Sequence, residues 1–188
     1  SPRRVAQVEA LGLGLSVVGL RGNVDTRIGK VTSGEVDAVI LARAGLARLG
    51  RLDDVTEALD PLQMLPAPGQ GALAVECRAD DHDLVAALAA LEDAPTRAAV
   101  DCERAVLATL EAGCSAPVGA LAEVVEGEHG DELWIRAVAL APDGAVAVRR
   151  SSTGSPADAA GVGRRLASEM LDEGAGSLID STYGKQQA

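Results

Sequence analysis

A chain of 188 residues, 47% of them hydrophobic, is long enough for one large domain or two small ones, each burying a core. Aromatics make up only 1% and Phe is absent, so the core must be Leu, Val, Ile and Ala, and stacking platforms for single-stranded nucleic acid are excluded. A net charge of −11 argues against a general nucleic-acid binder, and no apolar run approaches membrane-spanning length.

The elements read in chain order as two kinds of module. Residues 15–20 (Leu-Ser-Val-Val-Gly-Leu) predict a short buried strand. Arg21-Gly22-Asn23 predicts a turn, and Asp25 to about Ser33 a helix with Asn23 or Asp25 at its cap. A second buried strand follows at 37–42, then a helix over 44–49 stopped by Gly50. This strand–helix alternation predicts an α/β lobe with a parallel, doubly wound sheet. Residues 53–60 are acidic, helical or irregular, and lead into the crossover Leu65-Pro66-Ala67-Pro68-Gly69-Gln70-Gly71-Ala72.

Beyond the crossover, residues 72–77 alternate as a strand and 83–91 as a short helix, with a linker at 92–95. A helix then runs from Thr96 to about Ala112, with Ala99, Cys102, Val106 and Leu110 on one face. Strands are predicted at about 116–125, 132–141 and 145–152, the last two joined by a Pro142-Asp143-Gly144 hairpin turn. Ser155-Pro156 caps a final helix ending at Gly174, and residues 184–188 form a polar tail. This second module is α+β: α-β-β-β-α with a three-stranded antiparallel sheet.

Charge is unevenly spread. Residues 1–51 carry eight Lys/Arg against four Asp/Glu, and residues 52–188 carry nine against twenty-four. A basic stretch in an acidic protein suggests a focused anion site. Arg21 ends a predicted strand and Arg27 lies one turn into the next helix, where backbone amides and the positive helix end also gather. Arg3 and Arg4 precede this unit, while Arg43 and Arg48 follow the next strand. Loops at the carboxyl ends of such strands converge on one crevice, where guanidiniums pair with carboxylates. The plainer alternative is a solvated basic face, which suits Arg43 and Arg51 better than Arg21 and Arg27.

The three cysteines, Cys77, Cys102 and Cys114, have no zinc spacing and no histidine partner motif, so no metal is expected. Their odd number, with no signal peptide evident, points to free thiols in a reducing cytoplasm. Cys77 and Cys102 fit small buried hydrophobes. Cys114 sits instead in a Gly-flanked loop, Gly113-Cys114-Ser115-Ala116-Pro117, which favours an accessible sulfur serving as an attachment point.

Five stretches together resemble hydroxymethylbilane synthase, the porphobilinogen deaminase family. They are Ser1-Pro2-Arg3-Arg4, Leu20 to Arg27, Asp37 to Gly50, Leu65 to Arg78 and Glu103 to Gly119. The resemblance implies a dipyrromethane cofactor held by thioether on Cys114. It also implies head-to-tail linkage of four porphobilinogen molecules, with ammonia released at each step and the linear tetrapyrrole freed by hydrolysis. By the same resemblance, Ser1, Arg3, Arg4 and Arg27 hold the cofactor, and Arg21, Arg48 and Gln70 handle substrate and growing chain. Pro2 and Ala112 depart from residues common in relatives without removing a functional side chain.

The domains implied are residues 1–65, most of a second domain with a lobe like those of periplasmic binding proteins; 66–91, a segment returning to a first domain; and 92–188, a third domain carrying the cysteine. The chain opens without methionine, already inside a motif, and reads as a fragment or processed product. The family's catalytic aspartate would lie N-terminal to Ser1, so no catalytic residue is expected here and the chain alone is expected to be inactive. The full-length protein is expected to be a cytoplasmic monomer. The rival reading is a two-lobed anion-binding module without catalysis, which would have no use for an exposed Cys114.

Overall fold

Helix starts fall where the sequence can take up the free amides of a first turn. The computed structural model describes residues 1–113 and 115–183, with side chains as far as Ile179. Helix α1 (Pro2–Ala10) has Ser1 at its N-cap and proline in its first turn, where a missing N–H costs nothing. Asn23 accepts from the Thr26 amide at the start of α2 (Val24–Thr32), which is followed by α3 (Arg43–Arg48). Asp81 does the same for α4 (His82–Leu88), and Asp93 for α5 (Ala94–Thr109). The expected linker at 92–95 is thus a cap and first turn, because Pro95 suits the first turn and Asp93 can close it.

Three strands follow: β1 (Val118–Gly127), β2 (Gly130–Leu140) and β3 (Ala147–Gly154), antiparallel in the order β1-β2-β3. The β2–β3 turn closes through Gly144 N to Ala141 O at 2.9 Å, with Gly144 at φ +70, a conformation costly for any side chain. Ser155 then opens a short 3-10 turn at Pro156–Asp158, leading into α6 (Ala159–Asp172) and α7 (Ala175–Tyr183).

Strand alternation gives the sheet two buried faces. On one, Leu133, Ile135, Ala137 and Ala139 pack with Cys102, Val106 and Leu110 of α5 and Val162, Leu166 and Met170 of α6. On the other, Val138 and Leu140 meet Ala6 of α1 and Leu65 of the crossover. Each large aliphatic side chain buried this way contributes about 1.5–3 kcal/mol, enough to make this sheet the anchor for everything packed on it.

The chain divides into two compact units, Ser1–Leu15 with Pro61–Ala188, and Ser16–Asp60. The larger contains α1, the crossover and the sheet domain. The smaller contains α2, α3 and a 3-10 turn at Leu52–Asp54, with Leu46 buried. Arg51 fastens it by pairing with Asp25 of α2 and, at 2.6 Å, with Asp54.

The sheet domain follows the expected α-β-β-β-α order, with two helices, α1 and α7, that hydrophobic periodicity did not reveal. The doubly wound lobe expected from strands at 15–20, 37–42 and 72–77 is not formed by the described residues by themselves. None of these segments pairs in a sheet among the described residues, and Leu15, Val18, Leu73 and Val75 are exposed. An apolar run becomes a strand only when a neighbouring strand takes its hydrogen bonds in a regular ladder, and the only ladders among the described residues are those of β1, β2 and β3.

Candidate anion-binding site

In the larger unit, two side chains 67 positions apart in sequence meet. Arg3 Nη2 donates to Gln70 Oε1 at 3.3 Å. Arg3 and Arg4 sit together in the first turn of α1, and both are half-buried. Burial first, and then the neighbouring Arg4 charge, pull the Arg3 guanidinium below its usual range. Its Nε is buried with no hydrogen-bond partner among the described residues. A guanidinium atom shut away unpaired is costly, and an acceptor anion relieves that cost. Ser1, at the N-cap, is exposed.

Gln70 stands on a stiff turn. Gln70 N donates to Ala67 O at 2.9 Å, with Pro68 and Gly69 between them and Gly69 at φ +76. Proline then glycine at these positions specifies a type II turn. The crossover is fastened along its length. Gln7 of α1, fully buried, receives the Leu65 amide at 2.8 Å and donates to the Leu65 carbonyl at 3.0 Å. Ala120 N donates to Pro66 O at 3.1 Å, and Gly69 N donates to Glu103 Oε2 at 2.5 Å. Glu103 Oε1 also accepts from Ala122 N at 2.7 Å. Burial raises the Glu103 pKa, outweighing the two amide bonds that lower it.

The smaller unit carries the remaining expected arginines. Arg27, on α2, is half-buried and its Nε likewise lacks a partner among the described residues. Arg21 is exposed just before the Gly22 bend, and Arg48 is exposed in the last turn of α3. Arg3, Arg4 and Gln70 therefore lie in one unit, with Arg3 touching Gln70, and Arg21, Arg27 and Arg48 lie in the other. Cys114 lies outside the described residues; Gly113 and Ser115 flank its position after α5. Cys77 and Cys102 are free thiols, and burial pushes the Cys102 pKa up to about 12.

Two residues of this arrangement escaped sequence reading, Gln7 and Glu103. Glu103 had a signal: Ala99, Glu103, Val106 and Leu110 fall at helical 4-3-4 spacing, so a carboxylate interrupts an apolar stripe. Gln7 had none, since α1 itself was not foreseen.

The buried Arg3 Nε without a partner among the described residues, in a guanidinium that touches an amide on a rigid turn, makes this a candidate place for an anionic group. The chain matches the family model described as porphobilinogen deaminase, dipyromethane cofactor binding domain, over residues 1–86. It matches the porphobilinogen deaminase C-terminal domain over residues 97–172. It is 61% identical over 184 residues to a porphobilinogen deaminase of Mycobacterium bovis, covering 95% of this chain and 60% of that relative. It is 60% identical over 184 residues to porphobilinogen deaminases of Nocardia farcinica and Mycobacteroides abscessus, covering 95% of this chain and 53% and 60% of those proteins. The chain belongs to the porphobilinogen deaminase family, and it spans about 60% of the length of the Mycobacterium bovis relative.

Proposed function

We propose that this chain is the C-terminal portion of a hydroxymethylbilane synthase, a transferase of tetrapyrrole and haem biosynthesis. The longer protein joins four porphobilinogen molecules head to tail on a cysteine-linked dipyrromethane, releases ammonia at each addition and hydrolyses the product to hydroxymethylbilane. The observation that carries this reading is the buried, unpartnered Nε of Arg3 beside Gln70 in a chain of this family. The residues present fit a group rich in carboxylates, because Arg3 and Arg27 each offer a shielded donor with no internal acceptor among the described residues.

Arg3, Arg4 and Arg27, with Ser1 beside the first two, would hold the cofactor carboxylates, and Cys114 would carry the thioether. Bound there, the dipyrromethane supplies the primer for chain growth. Arg21, Arg48 and Gln70 would orient incoming substrate and the lengthening chain. A planar guanidinium suits this task, since it grips a carboxylate with two parallel hydrogen bonds and stays charged at all physiological pH. The carboxylate that stabilises cationic pyrroles would come from residues outside these 188.

The same reading gives the segments 15–20, 37–42 and 72–77 a role as strands of doubly wound sheets completed by the rest of the longer protein. Residues 1–65 would then belong to a second domain, 66–91 would return to a first domain, and 92–188 would form a third. We take the whole enzyme to be a cytoplasmic monomer with porphobilinogen as its small-molecule partner. Among the described residues no helix is long and apolar enough to cross a membrane, and no three metal-ligating side chains cluster.

The test is the intact mass of the full-length protein and its colour with an aldehyde reagent for pyrroles. Cys114→Ser should remove both the mass increment and the colour, while Cys77→Ser and Cys102→Ser should leave both. An adduct retained by Cys114→Ser protein would refute the assignment. The 188 residues by themselves should consume no porphobilinogen.

A further inference from the structure

We propose that Glu103 is a positioning residue of this site: its carboxylate clamps the Pro66–Gly71 crossover to the edge of the C-terminal sheet and so sets Gln70 against Arg3. The identity of the reaction rests on the function proposed above; the clamp rests on geometry alone. Strand β1 is an edge strand, so its outward amides need partners that no neighbouring strand supplies. Ala120 N finds one in the crossover, at Pro66 O. Ala122 N, two residues on and facing the same way, finds Glu103 Oε1 at 2.7 Å. The second carboxylate oxygen takes Gly69 N at 2.5 Å. In a type II turn that third-position amide closes no hydrogen bond of the turn itself, so Glu103 captures a donor the turn leaves over.

Two convergent N–H donors in a buried place ask for a group with two acceptors and no donor. A carboxylate meets that requirement and a carboxamide does not, since its second arm is itself a donor. Glu103 is only 5% exposed, a position on an apolar stripe where leucine would cost less. The crossover also rides on the same helix beyond the clamp: a side chain added at Gly69 would come within 3.9–4.0 Å of Arg104 and Val100. Gln70 follows Gly69 directly and receives Arg3 at 3.3 Å. Helix α5 therefore does two things at once. It holds the turn that presents Gln70, and its C-terminal end leads through Gly113 to Cys114.

The test compares Glu103→Gln with wild type in the full-length protein, reading amide hydrogen exchange, porphobilinogen turnover and melting temperature. Glu103→Gln should lower protection of the Gly69 amide about ten-fold or more, the effect of leaving one buried donor unpaired. Turnover should fall by a similar factor, with the cofactor mass retained and the melting temperature little changed. Glu103→Asp, too short to reach both amides, should not rescue. Unchanged Gly69 protection overturns the clamp, whatever turnover does. Lost protection with normal turnover, or a collapsed melting temperature with normal turnover per folded molecule, overturns the positioning role. Should Glu103→Gln fail to fold, exchange on wild type decides. The Gly69 amide should exchange as slowly as the β1–β2 ladder, and exchange at open-loop rates refutes the clamp. Absence of porphobilinogen turnover in wild type would count against the proposed function, while the exchange arm would still judge the clamp.

Discussion

Glu103 and Cys102 are consecutive on α5, both are buried, and burial pushes the pKa of each upward, favouring the protonated form of both. For Cys102 the thiol stays protonated, and the thiolate is the reactive form. Native protein treated with an alkylating reagent near pH 8 should leave Cys102 unmodified and label Cys77, which is only partly covered. Peptide mass mapping checks this, and labelling of Cys102 at the rate of Cys77 would contradict the burial argument. For Glu103 the sign runs through proton linkage. Its folded pKa lies above the ordinary glutamate value, so between the two the folded state binds more protons than the unfolded one. Stability from this group is therefore full below the ordinary value and is lost as pH rises through the raised one. Urea titrations should show wild type gaining on Glu103→Gln as pH is lowered from neutral; a gap that widens with rising pH would contradict the assignment.

Among the elements, α1 and the crossover depend on each other. Gln7 occupies a buried place where an aliphatic side chain would be the ordinary choice, and its amide matches both the N–H and the C=O of Leu65. Gln7→Leu keeps the apolar contacts but strands two buried backbone groups, which costs about 2–4 kcal/mol. Denaturant melts should show that loss, and binding of a carboxylate ligand at Arg3 should weaken with it, because Arg3 and Gln7 share α1. Expected and observed elements agree best where the deciding interactions are local. Asn23, Gly50 and Asp143-Gly144 are short-range signals, and the helices and the turn they mark are present. The short α1 carries no such mark beyond Ser1-Pro2. Its Ala6 is buried against Val138 and Leu140, contacts more than 130 positions away that no local window contains.

At the scale of the molecule, what stands out is apolar surface that should be covered. Leu73 and Val75 are 77% and 63% exposed, in a segment whose sequence alternates as strand. Unpaired, apolar, extended backbone invites association through its open hydrogen-bonding edges. The 188-residue chain is expected to bind an apolar dye and to self-associate with rising concentration in light scattering. Both signals should fall when the remaining part of the longer protein is added as a separate chain. A monodisperse, dye-negative preparation of the 188 residues alone would show that this segment finds cover within the chain.

What the sequence determined by itself was whatever depends on neighbours a few residues away. It specified the caps at Asn23 and Ser155, the hairpin turn, the apolar face of α5, the three paired strands, and the motif order that marks the porphobilinogen deaminase family. It also singled out Arg3, Arg27 and Gln70 as side chains of chemical interest, from their setting and their resemblance. Only the tertiary structure decided that Arg3 touches Gln70, that the Pro-Gly turn is held by Glu103 and the crossover's start by Gln7, and that three strand-like segments join no sheet among the described residues. The physical reason is the same in each case. A hydrogen bond between residues 34, 58 or 67 positions apart leaves no periodic trace, because it depends on where a whole helix packs rather than on the residues beside it.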